Sequence, residues 1–143
     1  MSAFMKTYAG LGECLSAERT FFGVAPPFDA IDMGLFENNA TPSEGTTYSD
    51  LVECTFPGYA RQNLGYLAGP YWVPFGASGY MEMAWGTVIF TNTNPAVAYT
   101  PWGFFVSRGG TLLGSGLFSG APALITPLGF LAVNFVLRLG NAP

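Results

Sequence analysis

Apolar and polar residues alternate with a period of two in several short segments of this chain, as expected for β-strands that bury one face. The alternation is clearest in residues 130–139, where every odd-numbered position from Leu131 to Leu139 is apolar. The same pattern predicts strands at residues 30–37, 50–56, 81–91, 99–107 and 111–118, and residues 59–64 extend the second of them. We therefore expect seven or eight short strands.

Glycine and proline separate these segments. The clearest turn is Arg108-Gly109-Gly110-Thr111, because two glycines between apolar runs accommodate the positive φ angles of a tight hairpin. Turn signals recur about every ten residues, a spacing typical of antiparallel sandwiches, jelly rolls and barrels. We predict one all-β domain over residues 1–143, with an antiparallel, jelly-roll-like β-sandwich at 29–143 and an N-terminal arm or short helix at 1–28.

The conformation of the N-terminal segment stays open at this stage. Apolar residues in 3–19 recur at three- and four-residue spacings, which favours a short helix. Gly10 and Gly12 weaken such a helix by about 1 kcal/mol each, so an extended arm fits equally well. The first residues lack the long apolar run of a signal peptide, and we expect assembly in the cytoplasm.

Charge is distributed unevenly along the chain. The net charge is −4, from nine acidic and five basic residues. The last acidic residue is Glu82, and residues 83–143 carry only two charges, Arg108 and Arg138. Soluble surfaces are roughly a quarter to a third charged, so we expect another chain, a second copy or a lipid to cover part of this half.

Residue usage argues against most enzymatic chemistry. There is no histidine, and Cys14 and Cys54 are too few and too far apart for a zinc site. They fit buried apolar positions, and a bridge between them stays possible. Carboxylate pairs could still act as acid and base at Asp29 with Asp32, or at Asp50 with Glu53, but turn-capping or solvated acids fit better. We predict a non-enzymatic protein without cofactor or metal.

The amino-acid composition also predicts that the chain neither binds nucleic acid nor spans a membrane. Five scattered bases in an acidic chain give no footprint for phosphate-backbone binding, so we expect no nucleic-acid partner. Residues 109–137 are uncharged, but Pro122, Pro127 and six glycines interrupt them, so we expect no membrane span.

Several short motifs resemble a group of small virion proteins encoded by tailed bacteriophages. Residues 48–62 are similar to an acidic and aromatic stretch of that group, which ends in Gly-Tyr-Ala-Arg at residues 58–61. Further similar elements are the strand at 31–39, the Thr-Pro loop at 41–42, the strand at 87–92, the hairpin at 103–113 and the Phe-x-x-x-Pro at 118–122. The chain departs from the group in the aromatic residues 65–80 and the apolar residues 123–130.

The resemblance implies a capsid decoration (cement) protein, located on the capsid surface of the virion. Its partners would be the major capsid protein and copies of itself, in a symmetric oligomer such as a trimer. Candidate interface residues are Arg61, Trp102, Phe104, Arg108 and Arg138. The arginines could instead lie on an exposed rim.

The alternative is a tail- or fibre-associated module that binds a host surface or glycan. In that case Tyr66, Tyr71 and Trp72 would form a platform on which a ligand stacks, although large aromatic residues also serve cores and subunit interfaces.

Overall fold

The computed structural model of the chain describes residues 5–6, 30–66, 73–74, 80–108 and 110–140. In these residues the chain forms antiparallel sheets, with one 3-10 turn at Tyr48–Asp50 and no α-helix. The strands are β1 (Met5–Lys6), β2 (Ala30–Phe36), β3 (Gln62–Tyr66), β4 (Val73–Pro74), β5 (Tyr80–Thr91), β6 (Gly103–Arg108), β7 (Thr111–Leu117) and β8 (Phe130–Gly140). The all-β prediction is confirmed. Apart from β1, the predicted helix or arm at 3–19 lies outside the described residues.

The strands belong to two sheets. The first has the order β1-β7-β6-β2-β3, and the second has the order β4-β5-β8. Every pairing is antiparallel. The predicted hairpin joins β6 to β7, with Arg108 opposite Thr111 across a two-residue connection.

One hydrophobic cluster connects the two sheets. Alternation turns every second residue of a strand toward the same side, so Ile31, Met33 and Leu35 of β2 all lie in this cluster. Val88 and Phe90 of β5 enter it from the second sheet. Its remaining buried members are Cys54, Phe56, Leu64, Phe104, Val106, Leu113, Ile125 and Val133.

A second, smaller cluster covers the opposite face of the first sheet. Phe36 and Phe105 point away from the shared core and pack with Leu51 and Leu112. Strand β6 therefore has apolar cover on both faces, which explains why its residues from Gly103 to Ser107 are all buried.

The structure corrects the strand that we predicted at residues 50–56. Only Glu53 forms a β-bridge there, with Phe36. The segment lies beside the edge of β2, and two backbone hydrogen bonds join it to that strand. Glu37 N donates to Val52 O at 2.8 Å, and Cys54 N donates to Leu35 O at 3.0 Å. Val52 alternates in sequence with the buried Cys54 and Phe56, but it is itself 50% exposed because the segment reaches β2 only from its edge.

The structure also corrects the predicted orientation of Trp102. In the predicted strand at 99–107, Trp102 alternates with Phe104, which predicts that both side chains lie on one face. Trp102 instead precedes β6 and packs against the smaller cluster. Its backbone N–H donates to Phe36 O at 2.8 Å. The regular alternation of side chains therefore begins only at Gly103.

We predict that Gly103→Ala lowers the free energy of unfolding by about 1–3 kcal/mol. A Cβ at this position would collide with the backbone carbonyl oxygen of Gly116 and with the Phe36 ring, and the carbonyl belongs to a paired strand that cannot easily move. Urea denaturation of both proteins measures the change. Gly110→Ala is the control, because the φ of Gly110 is not in the positive range that the hairpin signal predicts. In addition, no atom of the described residues other than its chain neighbours lies within 4 Å of its Cβ position. Equal stability of the two variants would contradict the packing described here.

Candidate functional site

An arginine–carboxylate pair lies at the point where residues 48–61 cover the outer face of the first sheet. Arg61 Nε donates to Glu53 Oε1 at 2.8 Å, and Arg61 Nη2 donates to Glu53 Oε2 at 2.7 Å. This two-point contact matches the planar fork of the guanidinium to both carboxylate oxygens. About a third of each side chain is exposed, so solvent screens the pair.

Tyr59 connects this pair to strand β2. Its hydroxyl donates to Glu53 Oε1 at 2.8 Å and accepts a hydrogen bond from the backbone N–H of Leu35 at 3.0 Å. Gly34 makes room for the hydroxyl, because a Cβ there would lie 2.8 Å from the Tyr59 oxygen and would collide with Phe105. The glycine in β2 thus permits a side chain to satisfy a backbone donor beyond the end of β3.

Two aromatic rings lie beneath the Arg61 guanidinium. Its Cζ is 5.0 Å from the ring centroid of Phe105 and 5.9 Å from that of Tyr48. These distances are within the range of cation–π attraction, and the two rings contact each other edge to face. The aromatic rings and Glu53 together fix the position of the guanidinium.

An open groove of about 490 Å³ adjoins this cluster. Its lining residues are Tyr48, Leu51, Glu53, Arg61, Phe105 and Gly110. The hydroxyl oxygen of Tyr48 is buried and has no hydrogen-bond partner among the described residues. A ligand that supplied a hydrogen-bonding group there would satisfy this hydroxyl.

Hydrogen bonds and burial shift the pKa values of Glu53, Tyr59 and Arg61. The hydrogen bonds from Arg61 lower the pKa of Glu53, and the bond to Glu53 raises the pKa of Arg61. Burial raises the pKa of the Tyr59 phenol. Burial also raises the pKa of the nearby free thiol Cys54 to about 12, so this cysteine is a protonated, apolar part of the core.

The carboxylates of Asp50 and Glu53 have separate partners. Asp50 accepts hydrogen bonds from the Thr47 backbone N–H at 2.7 Å and from the Thr47 hydroxyl at 3.0 Å. These bonds lower the pKa of Asp50 and close the 3-10 turn. One carboxylate therefore caps a turn while the other holds Arg61, and the geometry does not direct them at a common substrate.

The structure places the predicted interface residues in different settings. Phe104 is 4% exposed in the shared core, so it does not present a surface to a partner, because alternation turns it inward. Trp102 is half-buried against the smaller cluster. Burial lowers the pKa of Arg108, which is opposite Ile31 in the sheet. Arg138 is opposite Glu82 in the backbone register of β5 and β8.

The predicted stacking platform is not assembled by the described residues. Tyr66 ends β3, where its backbone is opposite Ala30. Tyr71 and Trp72 lie outside the described residues.

A second candidate surface consists of exposed apolar side chains in residues 83–143, which carry only two charges and are here called the uncharged half of the chain. Of the six large hydrophobic residues that are exposed among those the structure describes, five lie beyond Glu82 and Val52 precedes it. These five are Ile89, Val97, Leu124, Leu128 and Phe130, here called the apolar surface residues. Four of them lie on residues 92–101 and 123–130, two segments that hydrogen bonds join side by side.

Asn92 holds these two segments together. Its side chain is fully buried, and its amide nitrogen donates to Val97 O at 2.9 Å and to Thr126 O at 3.0 Å. Its side-chain oxygen accepts from Asn94 N at 2.9 Å. The exposed apolar residues are therefore carried by an ordered pair of segments.

Leu128 occupies a backbone conformation that leucine rarely adopts. Its φ is +55°, and the hydrogen bond from Gly129 N to Thr126 O at 2.9 Å closes a four-residue turn around it. With Pro127 before it, Leu128 holds the turn position that glycine or asparagine usually fills. It is nevertheless 67% exposed, so packing against the described residues does not explain a leucine there.

Sequence patterns did not reveal the Glu53–Tyr59–Arg61 network or the role of Asn92. The network joins residues six to eight positions apart across a proline–glycine turn, for which no periodicity exists. Residues 92–95 read Asn-Thr-Asn-Pro, a composition that predicts a turn. The composition does not indicate that the side-chain amide of Asn92 is buried.

Comparison with known proteins gives no family assignment: the sequence matches no family model and no curated protein. Among the described residues, no helix has the length and apolar character needed to cross a membrane. Within those residues, no group of three or more His, Cys, Asp or Glu side chains is placed to hold a metal ion.

We predict that Glu53 makes the stability of the protein depend on pH in the acid range. Its folded-state pKa is below the unfolded value, so its contribution is present above about pH 4.5 and is lost as pH falls through the folded pKa. Urea midpoints measured from about pH 7 to about pH 3 should therefore fall less steeply for Glu53→Gln than for the wild type.

At neutral pH we expect Glu53→Gln to cost no more than about 1 kcal/mol, because the pair is partly exposed. Glu44→Gln is the control, since it removes an exposed carboxyl from the same connection between β2 and β3. If both variants keep the wild-type pH profile, the Arg61–Glu53 pair contributes nothing to stability.

Proposed function

We propose that this chain is a non-enzymatic structural protein of a tailed-bacteriophage virion. Its role would be that of a capsid decoration protein, which binds the outside of the major capsid lattice together with copies of itself. The hydrophobic cluster shared by the two sheets supports the finer fold that we propose with it, a jelly-roll-like β-sandwich.

The apolar surface residues carry this proposal. The uncharged half exposes Leu124 at 61%, Leu128 at 67% and Phe130 at 65%, on segments that Asn92 holds in place. Scattered exposed hydrophobic residues are common, but their concentration in a half with two charges favours a partner. A leucine in a strained turn supports the same conclusion, because strain away from the core often accompanies a contact.

The physical mechanism of stabilisation would be mass action. A protein that binds only the assembled shell shifts the equilibrium toward the shell by RT ln(1 + [L]/Kd). At a free concentration of about 100 times Kd this amounts to about 2.7 kcal/mol per site. No catalytic residue is needed.

The groove beside Arg61 favours a second candidate function, a tail-associated module that binds a host-surface ligand. Its volume of about 490 Å³ is in the range of small-molecule sites, and Tyr48, whose hydroxyl finds no partner in the described part of the chain, is one of its lining residues. The two candidates differ in copy number, because a decoration protein covers the shell and a tail component is present only a few times.

We predict that purified particles contain this chain in a simple ratio to the major capsid protein, near one or one third. Quantitative mass spectrometry of the particles measures the ratio. A few copies per hundred capsid subunits would support the tail candidate and contradict the decoration role. Complete absence of the chain from the particles would contradict both.

We further predict opposite effects of Leu128→Asn on binding and on stability. Asparagine tolerates a positive φ, so the isolated protein should gain about 1 kcal/mol of stability. Loss of the exposed leucine should weaken binding to purified shells that lack this protein by roughly tenfold, which corresponds to about 1.4 kcal/mol.

Val52→Asn is the control for binding, because it removes an exposed hydrophobic residue that precedes Glu82. We expect it to leave shell affinity unchanged. Equal affinities of the two variants would show that the turn at Leu128 does not contact the shell.

A further inference from the structure

Strand β8 has a long edge along which, among the described residues, no other strand pairs. It lies at the end of the second sheet, where only β5 is beside it, and it is 11 residues long. Strand β3, at one end of the first sheet, has five residues. The backbone N–H and C=O groups on the outer edge of β8 therefore form the longest row of open pairing positions in the described sheets.

Strand β8 lacks the features that usually protect an edge. Proteins commonly prevent edge-to-edge association with lysines, prolines, bulges or short edge strands. In β8 there is no proline, and Arg138 is the only charged residue. The irregularity in this sheet is in β5, between Ala84 and Thr87, where two intervening residues face one in β8. A long edge of this composition is a template for another strand.

We infer that the strand which pairs with this edge is β8 of a second copy, antiparallel to the first about a two-fold axis. Such a pair would join the two three-stranded sheets into one sheet of six strands. Self-pairing is the arrangement in which both edges have the same length, so all 11 residues can find partners. Pairing with β3 of another copy would leave about half of β8 open.

Charge placement also favours self-pairing. In an antiparallel pair centred on Phe135, Arg138 would be opposite the partner's Ala132, so the two arginines would not face each other. The rest of the strand is uncharged, and a partner with a charged edge would lose solvation without gaining an ion pair. This inference concerns the free chain and does not require a capsid.

The exposed face of this sheet provides a matched pair of test positions. Thr87 and Asn134 are cross-strand neighbours, both are exposed, and the Thr87 hydroxyl donates to Asn134 Oδ1 at 3.0 Å. A lysine at either position adds the same charge to the same face and removes the same hydrogen bond. Only the lysine at position 134 lies on the edge strand. It is near the centre of the proposed seam, by which we mean the line along which β8 pairs with β8 of the second copy.

Sedimentation equilibrium of the full chain tests the inference. We expect the wild type and Thr87→Lys to be dimers with similar dissociation constants. Asn134→Lys should raise the dissociation constant by roughly tenfold or more, because the two lysines would then be diagonal neighbours of like charge on either side of the two-fold axis. Dimers that Asn134→Lys leaves intact, or equal weakening by both variants, would overturn the inference.

Amide hydrogen exchange distinguishes a second copy from a segment of the same chain. If β8 pairs with a second copy, half of its amides should exchange faster when the protein is diluted below the dissociation constant, and those of β6 should not change. A wild type that is monomeric at high concentration, with β8 amides protected at every concentration, would show that the chain covers its own edge. That result would also overturn the inference.

Discussion

The structure depends on strand β2, because every side of this strand is occupied. Ile31, Met33 and Leu35 are fully buried in the core that connects the two sheets, and Phe36 is fully buried in the cluster on the other face. One edge pairs with β6 along its length, and the other pairs first with β3. Beyond β3, the Tyr59 hydroxyl and the segment at 52–54 supply the remaining hydrogen bonds. The network of Glu53, Tyr59 and Arg61 therefore forms where this edge of β2 receives its last hydrogen bonds.

The two halves of the chain use different interactions to fix their connections. In the charged half, Glu53 holds Arg61 through two charge-assisted hydrogen bonds, and Tyr59 carries this contact to the sheet. In the uncharged half, the buried amide of Asn92 joins two segments through carbonyl groups. A buried amide that loses its partners costs about 1–3 kcal/mol, so this arrangement specifies the connection without any charge. The surface there can remain apolar.

Strand alternation predicted the all-β class and most of the longer strands, and the hairpin at Gly109-Gly110 was predicted from turn chemistry. Periodicity failed at residues 50–56, because an extended segment that touches only one edge of a sheet has the same alternation as a strand. It also gave no information on which loops meet, so the Arg61 groove and the apolar turn at Leu128 could not be predicted. The scarcity of charged residues after Glu82 did indicate the part of the chain in which most of the described exposed apolar side chains lie.

The proposed seam and the apolar turn are coupled by geometry, because Phe130 is the first residue of β8. Antiparallel pairing would place the two Leu128–Phe130 turns at opposite ends of the seam, about ten residues or roughly 33 Å apart. A dimer would then offer two apolar contacts at a fixed spacing, and a regular lattice presents sites at fixed spacings. When the spacings match, the second contact forms at a high effective concentration, so two weak apolar contacts bind far more tightly than one. Edge pairing would supply orientation, and the exposed leucine and phenylalanine would supply affinity.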